Sequence, residues 1–308
     1  MSEASLAALL LTNRLVDVAA KPLSAGQYWA LLAKVPDPGE LLGLDLQATT
    51  ELLDGDDAEA HRVRALLDAT TAFAFERERL EEQGVSLLST FDPAFPARLI
   101  SRLGTTCPAF LTVAGRVEWL SAGGLGVVGS RDASPAALLV ARSAAKVAVD
   151  AGVPVVNGLA RGVDHESMTA ALDFGGAVVG VSAEGLRVAA RDPEVRRMVH
   201  SGELCIASPY APAMRFTAGN AMGRNKIVYG LADVTLVVCS ANGSGGTWDG
   251  ADEAIRRSFG HVAVWRGDGE GPGNAALIAL GGTSITNVHD VLDAAEQPNE
   301  PKVQGSLF

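Results

Sequence analysis

Cysteine is scarce and scattered: Cys107, Cys205 and Cys239 are the only three in 308 residues, and no two form a C-x-x-C pair. That excludes a disulfide framework and a zinc knuckle. Cys205 and Cys239 fall inside apolar, strand-like runs and read as small core residues. The five histidines lack metal-ligand spacing, so no metal is expected. The start, Met1, Ser2, Glu3 and Ala4, lacks the basic residues of a signal peptide, and every apolar run is too short to span a bilayer. A cytoplasmic protein with no membrane contact is expected. Positive charge is short as well, with 25 Lys and Arg against 36 Asp and Glu and a net charge of −11. This excludes a surface coated for non-specific duplex binding and leaves room only for a local basic groove. The acid is concentrated in residues 1–90, where 15 acids face 7 basic residues.

What is present is apolar bulk, 48% of the residues, enough for one large domain and a smaller one. Residues 1–83 read as a small α-helical module, with runs at Leu6, Leu9, Leu10 and Leu15, at 27–33, at 38–44 and a long one over 58–83. Pro22, Pro36, Pro38 and Gly55 punctuate these runs, and Ser24 and Asp37 are expected N-caps. A strand, helix and strand extension follows at 84–118, with Arg98 and Arg102 expected on the solvent side of its helix. From 125 to 265, apolar strands alternate with amphipathic helices, which implies a parallel sheet covered on both faces. The fold class is α/β, a doubly wound Rossmann-like parallel sheet preceded by the helical module. The main domain is placed at 84–293, with its sheet ending near Trp265. A short helix at 288–296 leads into a proline-rich tail over 294–308, expected to be an extended tether.

Everything in the main domain is organised around the first strand-to-helix turn. Val127 and Val128 read as buried strand, Gly129 as a point of close approach to a ligand, and Ser134 with Pro135 as the start of the next helix. Arg131 adds charge beside free N–H groups, so Gly129, Ser130 and Arg131 form a phosphate-binding turn. The G-x-G-x-x-G fingerprint is missing, and the second strand ends in Asn157 and Gly158 rather than the acid an NAD protein uses, so no cofactor is expected. Three more turns at strand ends should converge on the first: Asn157 to Asp164, with Gly158, Arg161 and Gly162; Ser208 to Arg215; and Gly243 to Thr247, with Gly245 and Gly246. Arg224 and Lys226 sit near the start of a later helix, where the dipole disfavours cations and an anionic partner would explain them.

These residues resemble a known family. The stretch Gly129 to Arg131, the stretch Gly158 to Asp164 and the stretch Gly223 to Asp233 are similar to the three signature segments of the DprA or Smf DNA-processing proteins. Phe95 to Leu99, Pro108 to Leu111 and Gly115 resemble the segment that precedes the Rossmann-like domain in that family, so the likeness spans about 84–265. The resemblance implies a non-catalytic protein that binds single-stranded DNA at the strand carboxyl ends, dimerises, and helps load a RecA-type recombinase during DNA uptake or recombination. It also implies that Arg131 and Arg161 hold phosphates, with Arg224 and Lys226 lining the same pocket.

Two features depart from the family. The stretch after Trp265 is not expected to hold the winged-helix module that many members carry. The stretch from Gly245 to Glu253 is similar instead to the G-G-x-G-T-x-x-E turn of the related LOG-like phosphoribohydrolases. That yields a rival reading, an enzyme hydrolysing the glycosidic bond of a nucleoside monophosphate. Such chemistry needs a carboxylate near the ribose, yet the third residue after Thr247 is Gly250 and Glu253 is almost a helical turn farther on. Asp164, His165 and Glu166 are an alternative acid cluster, read as first-turn residues that favour the helix dipole. A nucleotide-sensing module would share the same pocket. Lastly, Gln304, Leu307 and Phe308 resemble the Q-x-x-L-F peptides by which bacterial DNA-handling proteins dock on the sliding clamp; the other reading is a tail that folds back over an apolar patch of its own domain.

Overall fold

The computed structural model describes residues 1–12, 15–189 and 192–296. The tail residues Gln304, Leu307 and Phe308, with the clamp contact expected of them, lie outside the described residues.

Five helices open the chain: α1 (Glu3–Thr12), α2 (Ala25–Lys34), α3 (Leu46–Leu52), α4 (Asp57–Leu67) and α5 (Thr70–Glu81). Ser24 starts α2 through a capping box with Gln27, and Asp37 accepts from the N–H of Gly39 to start a short 3-10 turn. The run expected over 58–83 breaks into α4 and α5 at Asp68 and Ala69. Leu9, Leu11, Tyr28, Leu41 and Phe73 form the module's core and meet Phe110 of the next unit. Two aromatic side chains pin the module down. The Tyr28 hydroxyl lies 2.6 Å from that of Thr90, and the Trp29 indole donates to the carbonyl of Cys107 at 2.8 Å.

The rest is one nine-stranded sheet. Its elements are β1 (Val85–Ser89), α6 (Ala97–Leu103), β2 (Phe110–Ala114), β3 (Leu125–Val128), α7 (Pro135–Asp150), β4 (Val155–Asn157), α8 (Val163–Asp173), β5 (Val178–Val181), α9 (Leu186–Ala189), α10 (Pro193–Ser201), β6 (Leu204–Ser208), α11 (Ala218–Leu231), β7 (Val234–Val237), α12 (Gly246–Arg257), β8 (His261–Trp265), α13 (Asn274–Ala279) and β9 (Thr283–Ile285). The strand order is β1-β2-β6-β5-β4-β3-β7-β8-β9. β1 and β2 pair antiparallel, and β2 pairs antiparallel with β6; all other pairings are parallel. The strand, helix and strand unit therefore does extend the sheet. The sheet, however, continues past Trp265: β9 pairs with β8, and it escapes an apolar-run reading because it has three residues and only Ile285 of them is buried.

Alternation along the strands divides the core. Leu125, Val127, Val155, Val178 and Leu236 pack on α7 and α8, while Val128, Val156, Val179 and Val237 pack on α6, α11 and α12. The α7 face is a stripe of Ala137, Ala141, Ala144, Ala145 and Ala148, small enough for α7 to lie close on both the sheet and α8. Ser134 caps α7 by accepting from the N–H of Ala137, with Pro135 at its first position.

One expectation is corrected here. Arg98 and Arg102 do not face solvent: Arg98 donates to the carbonyl of Leu231 at 3.0 Å and pairs with Asp233 at 2.6 Å, and Arg102 donates to the carbonyls of Gly230 and Ala232. These are the orphan carbonyls at the negative end of α11, where cations are stabilising. Burial also disposes of the thiols: all three cysteines are free and buried, and desolvation pushes Cys107 and Cys205 up to about 12.

Candidate functional site

The chain leaves β3 toward β4 on one side, while β7 lies on β3's other side, so the sheet has its topological switch point between β3 and β7. A crevice is expected there, outside the strand carboxyl ends. Three of the expected turns meet at it and are bonded together. The N–H of Ser130 donates to Cys239 at the end of β7 at 3.0 Å, the N–H of Val163 donates to the carbonyl of Ser130 at 3.3 Å, and the Thr247 hydroxyl donates to the carbonyl of Gly129 at 2.9 Å.

The turn after β4 is held from inside. Asn157 donates to the carbonyl of Asp164 at 3.0 Å and accepts the N–H of Leu159 at 3.0 Å. A carboxylate oxygen of Asp164 accepts the N–H groups of Gly158 at 2.9 Å and Ala160 at 3.4 Å. The result forces Leu159 to φ 55°, the left-handed region that branched and bulky residues avoid, with its side chain laid over Gly180 of β5. Asp164 thus latches the turn rather than merely favouring the helix dipole. His165 lines a separate hollow and Glu166 faces Arg142 at 3.5 Å, so successive residues of α8 point apart and form no acid cluster.

Arg224 of α11 is 5% exposed and crosses the crevice. It donates to the carbonyl of Gly158, and a Cβ at Gly158 would collide with its guanidinium. Burial lowers its pKa against the raising effect of Asp164; burial raises the Asp164 pKa against Arg224 and the backbone N–H groups of Gly158, Ala160 and Gly129. Lys226 does not join it. Two residues on, about 200° around the helix, it is half-buried, donates to the carbonyl of Thr106 at 2.7 Å and lines neither hollow described next.

Two hollows open side by side. The first, about 370 Å³, is bounded by Ser130, Asn225, Tyr229 and the stretch from Gly245 to Thr247. The second, about 750 Å³, is bounded by Leu159, Arg161, His165, Met168 and Phe216. Arg131, Ala160 and Arg224 border both, so Arg224 is a partition and Arg131 stands at the shared mouth. Its guanidinium lies 5.9 Å from the ring centroid of Phe216, which is half-exposed.

Several expected roles change. A Cβ at Gly129 would lie 2.6 Å from the Val163 side chain, so this glycine lets β3 pack on α8, while it also lines the first hollow. Gly162, at φ 76°, presses against the carbonyl of Ser130. By contrast, a Cβ at Gly245, which sits at φ 92°, would meet nothing within 4 Å, and one at Gly246 would meet only the Asn225 amide at 3.8 Å, the same amide that donates to the Gly246 carbonyl at 2.9 Å. The turn from Ser208 to Arg215 does not converge with the others. Gly185 and Arg187 donate to the carbonyls of Met214 and Pro212, and Tyr210 donates to the carbonyl of Asn220 on α11 at 2.6 Å. Its successor Phe216 is the residue that reaches the site, and with Tyr229 it was not foreseen. Phe216 precedes the N-cap Thr217, a position where an apolar residue ordinarily packs on its own helix.

Asp252 and Glu253 of α12 turn away. Asp252 pairs with Arg256 at 2.7 Å and Glu253 with Arg257 at 3.2 Å, and neither lines a hollow. Among the described residues, no group of three His, Cys, Asp or Glu could hold a metal, and no helix is long and apolar enough to cross a membrane.

Comparison with known proteins agrees with this architecture. The family model described as DNA recombination-mediator protein A matches residues 86–296. Protein Smf of Synechocystis sp. is 27% identical over 167 residues, which are 52% of this chain and 41% of the relative, so the chain spans about two fifths of that protein's length. The fold is that of DNA processing protein A (DprA) from Streptococcus pneumoniae, with a TM-score of 0.67 at 23% identity over 88% of this chain and 98% of that one. DNA processing protein A from Helicobacter pylori, described with a single-stranded DNA binding mode, matches at a TM-score of 0.55 and 21% identity over 68% of this chain and 94% of that one.

Proposed function

Because the chain belongs to the DNA recombination-mediator protein A family, we propose that it binds single-stranded DNA across the shared mouth of the two hollows and acts without catalysing a reaction on it. Arg131 and Arg161 hold successive backbone phosphates, and Phe216 offers its ring to a base. Phosphate contacts fix position without reading sequence, and stacking accepts any base, which suits a strand binder. The observation that carries this reading is the half-exposed Phe216 ring beside the guanidinium of Arg131, a residue that borders both hollows. In the cell the bound strand is handed to a RecA-type recombinase during DNA uptake or recombination, by a cytoplasmic homodimer. Docking on a sliding clamp through Gln304, Leu307 and Phe308 is part of the same proposal.

Titration with a single-stranded oligonucleotide at two salt concentrations tests it. Several phosphate contacts should give a steep fall of affinity with salt, which a mononucleotide cannot show. Phe216→Ala is expected to weaken oligonucleotide binding by about 1–3 kcal/mol with the salt slope unchanged. An unchanged affinity removes Phe216 from the interface. The rival hydrolase reading is opposed by the pairing of Glu253 with Arg257 outside the hollow. Release of free base from a nucleoside monophosphate by the purified protein would restore it.

A further inference from the structure

The first hollow holds more than a passing strand needs. Its floor is Val128, Val228 and Tyr229, all buried, so a chain that enters cannot leave on the far side. One wall is the start of α12, where Gly246, Thr247 and Trp248 have no intrahelical acceptor for their N–H groups and the N-cap Gly245 supplies no side chain. Unlike Gly129, Gly158 and Gly162, the glycines at 245 and 246 meet no crowding, so their bare backbone faces open space.

A second observation is independent of that helix end. The Tyr229 hydroxyl is buried, its residue 2% exposed, and among the described residues it has no hydrogen-bond partner; the Nε of Arg224 is in the same condition. Both residues line this hollow. Unpaired buried donors are costly and call for an acceptor that the chain itself does not supply. The one buried carboxylate nearby, Asp164, is engaged by the N–H groups of Gly158 and Ala160 with Arg224 beside it.

Resting on the single-strand reading above, we propose that the first hollow captures a terminal phosphomonoester, the phosphorylated end of a DNA strand, which sits against the start of α12 while the strand leaves over Arg131 toward the second hollow. A phosphodiester has two free oxygens and must continue in both directions. A phosphomonoester has three and a second negative charge, and it can end in a blind cavity whose wall presents several N–H groups at once. The volume, about 370 Å³, lies at the small end of ligand sites and suits one nucleotide.

The test compares oligonucleotides of one sequence carrying a 5′-phosphate, a 3′-phosphate or no phosphate with a circular single strand, on the full chain, and adds thymidine monophosphate and thymidine as competitors. One of the phosphorylated ends should bind about tenfold tighter than the unphosphorylated and circular strands, and the monophosphate, not the nucleoside, should displace it. Tyr229→Phe should abolish that preference, leave circular-strand affinity as it is, and raise or preserve the melting temperature, because the lost hydroxyl had no partner. Equal affinity for all strands, with the monophosphate unable to compete, overturns the proposal while leaving strand binding intact. Failure to bind any strand overturns the underlying reading, and direct titration of the monophosphate then decides the hollow without recourse to the variant.

Discussion

Replacing Arg224 with methionine is expected to destabilise the protein by about 3 kcal/mol or more, the range seen when one partner of a buried charge pair is removed. The side chain is 5% exposed, so little of its charge is screened by water. Its loss frees the carbonyl of Gly158 and leaves Asp164 desolvated with only backbone N–H donors. Methionine keeps the length of the stem, so the effect reports the guanidinium rather than a cavity. Lysine should not rescue it, since a point charge cannot reproduce the fork that faces Gly158. Denaturant unfolding measures this as a lower midpoint at unchanged slope. A variant within 1 kcal/mol of the parent would mean that the partition between the hollows is not held by this residue.

The opposite combination, large on binding and small on stability, is expected for Arg131→Ala with Arg161→Ala. Both side chains are exposed, and among the described residues neither has an ion pair. Each charge-assisted phosphate contact is worth about 1–3 kcal/mol, so the double variant should bind single-stranded DNA about thirtyfold more weakly or worse. Two fewer neutralised phosphates should also reduce the slope of log affinity against log salt by about 1.4. The melting temperature should stay close to that of the parent. Unchanged affinity would remove the strand from this mouth altogether, whereas lost affinity with an unchanged slope would mean that the arginines act on bases rather than phosphates.

The fold was legible wherever a local pattern has one physical meaning. Val127, Val128, Val155 and Val156 are apolar throughout because the strands are covered on both faces, and Ser24, Asp37 and Ser134 are caps because short side-chain oxygens at helix starts have few other uses. β9 was not legible, since three residues with one buried position leave no periodicity. In the site, the convergence of Gly129, Gly158 and Gly245 followed from strand ends sharing one side of a parallel sheet. What lay beyond reach was direction. Arg224 and Lys226 look alike in sequence, yet 200° of helical rotation sends one into the crevice and the other to Thr106. Arg98 and Arg102 bond to carbonyls about 130 residues away, and no spacing within their own helix shows that.

The contact between Gly158 and Arg224 also constrains how this chain can evolve. A methyl group at 158 would occupy the space of the guanidinium, and the three atoms nearest to it all belong to Arg224, so Gly158→Ala is expected to be harmful while Arg224 is in place and less so once it is gone. The two positions, 66 residues apart, are therefore expected to be epistatic: a side chain at 158 requires Arg224 to change first. A descendant that abandons the arginine loses the wall between the hollows and, in the same step, releases position 158 from being glycine. The return path then closes as soon as any side chain settles there, which makes the divided crevice easy to lose and hard to regain.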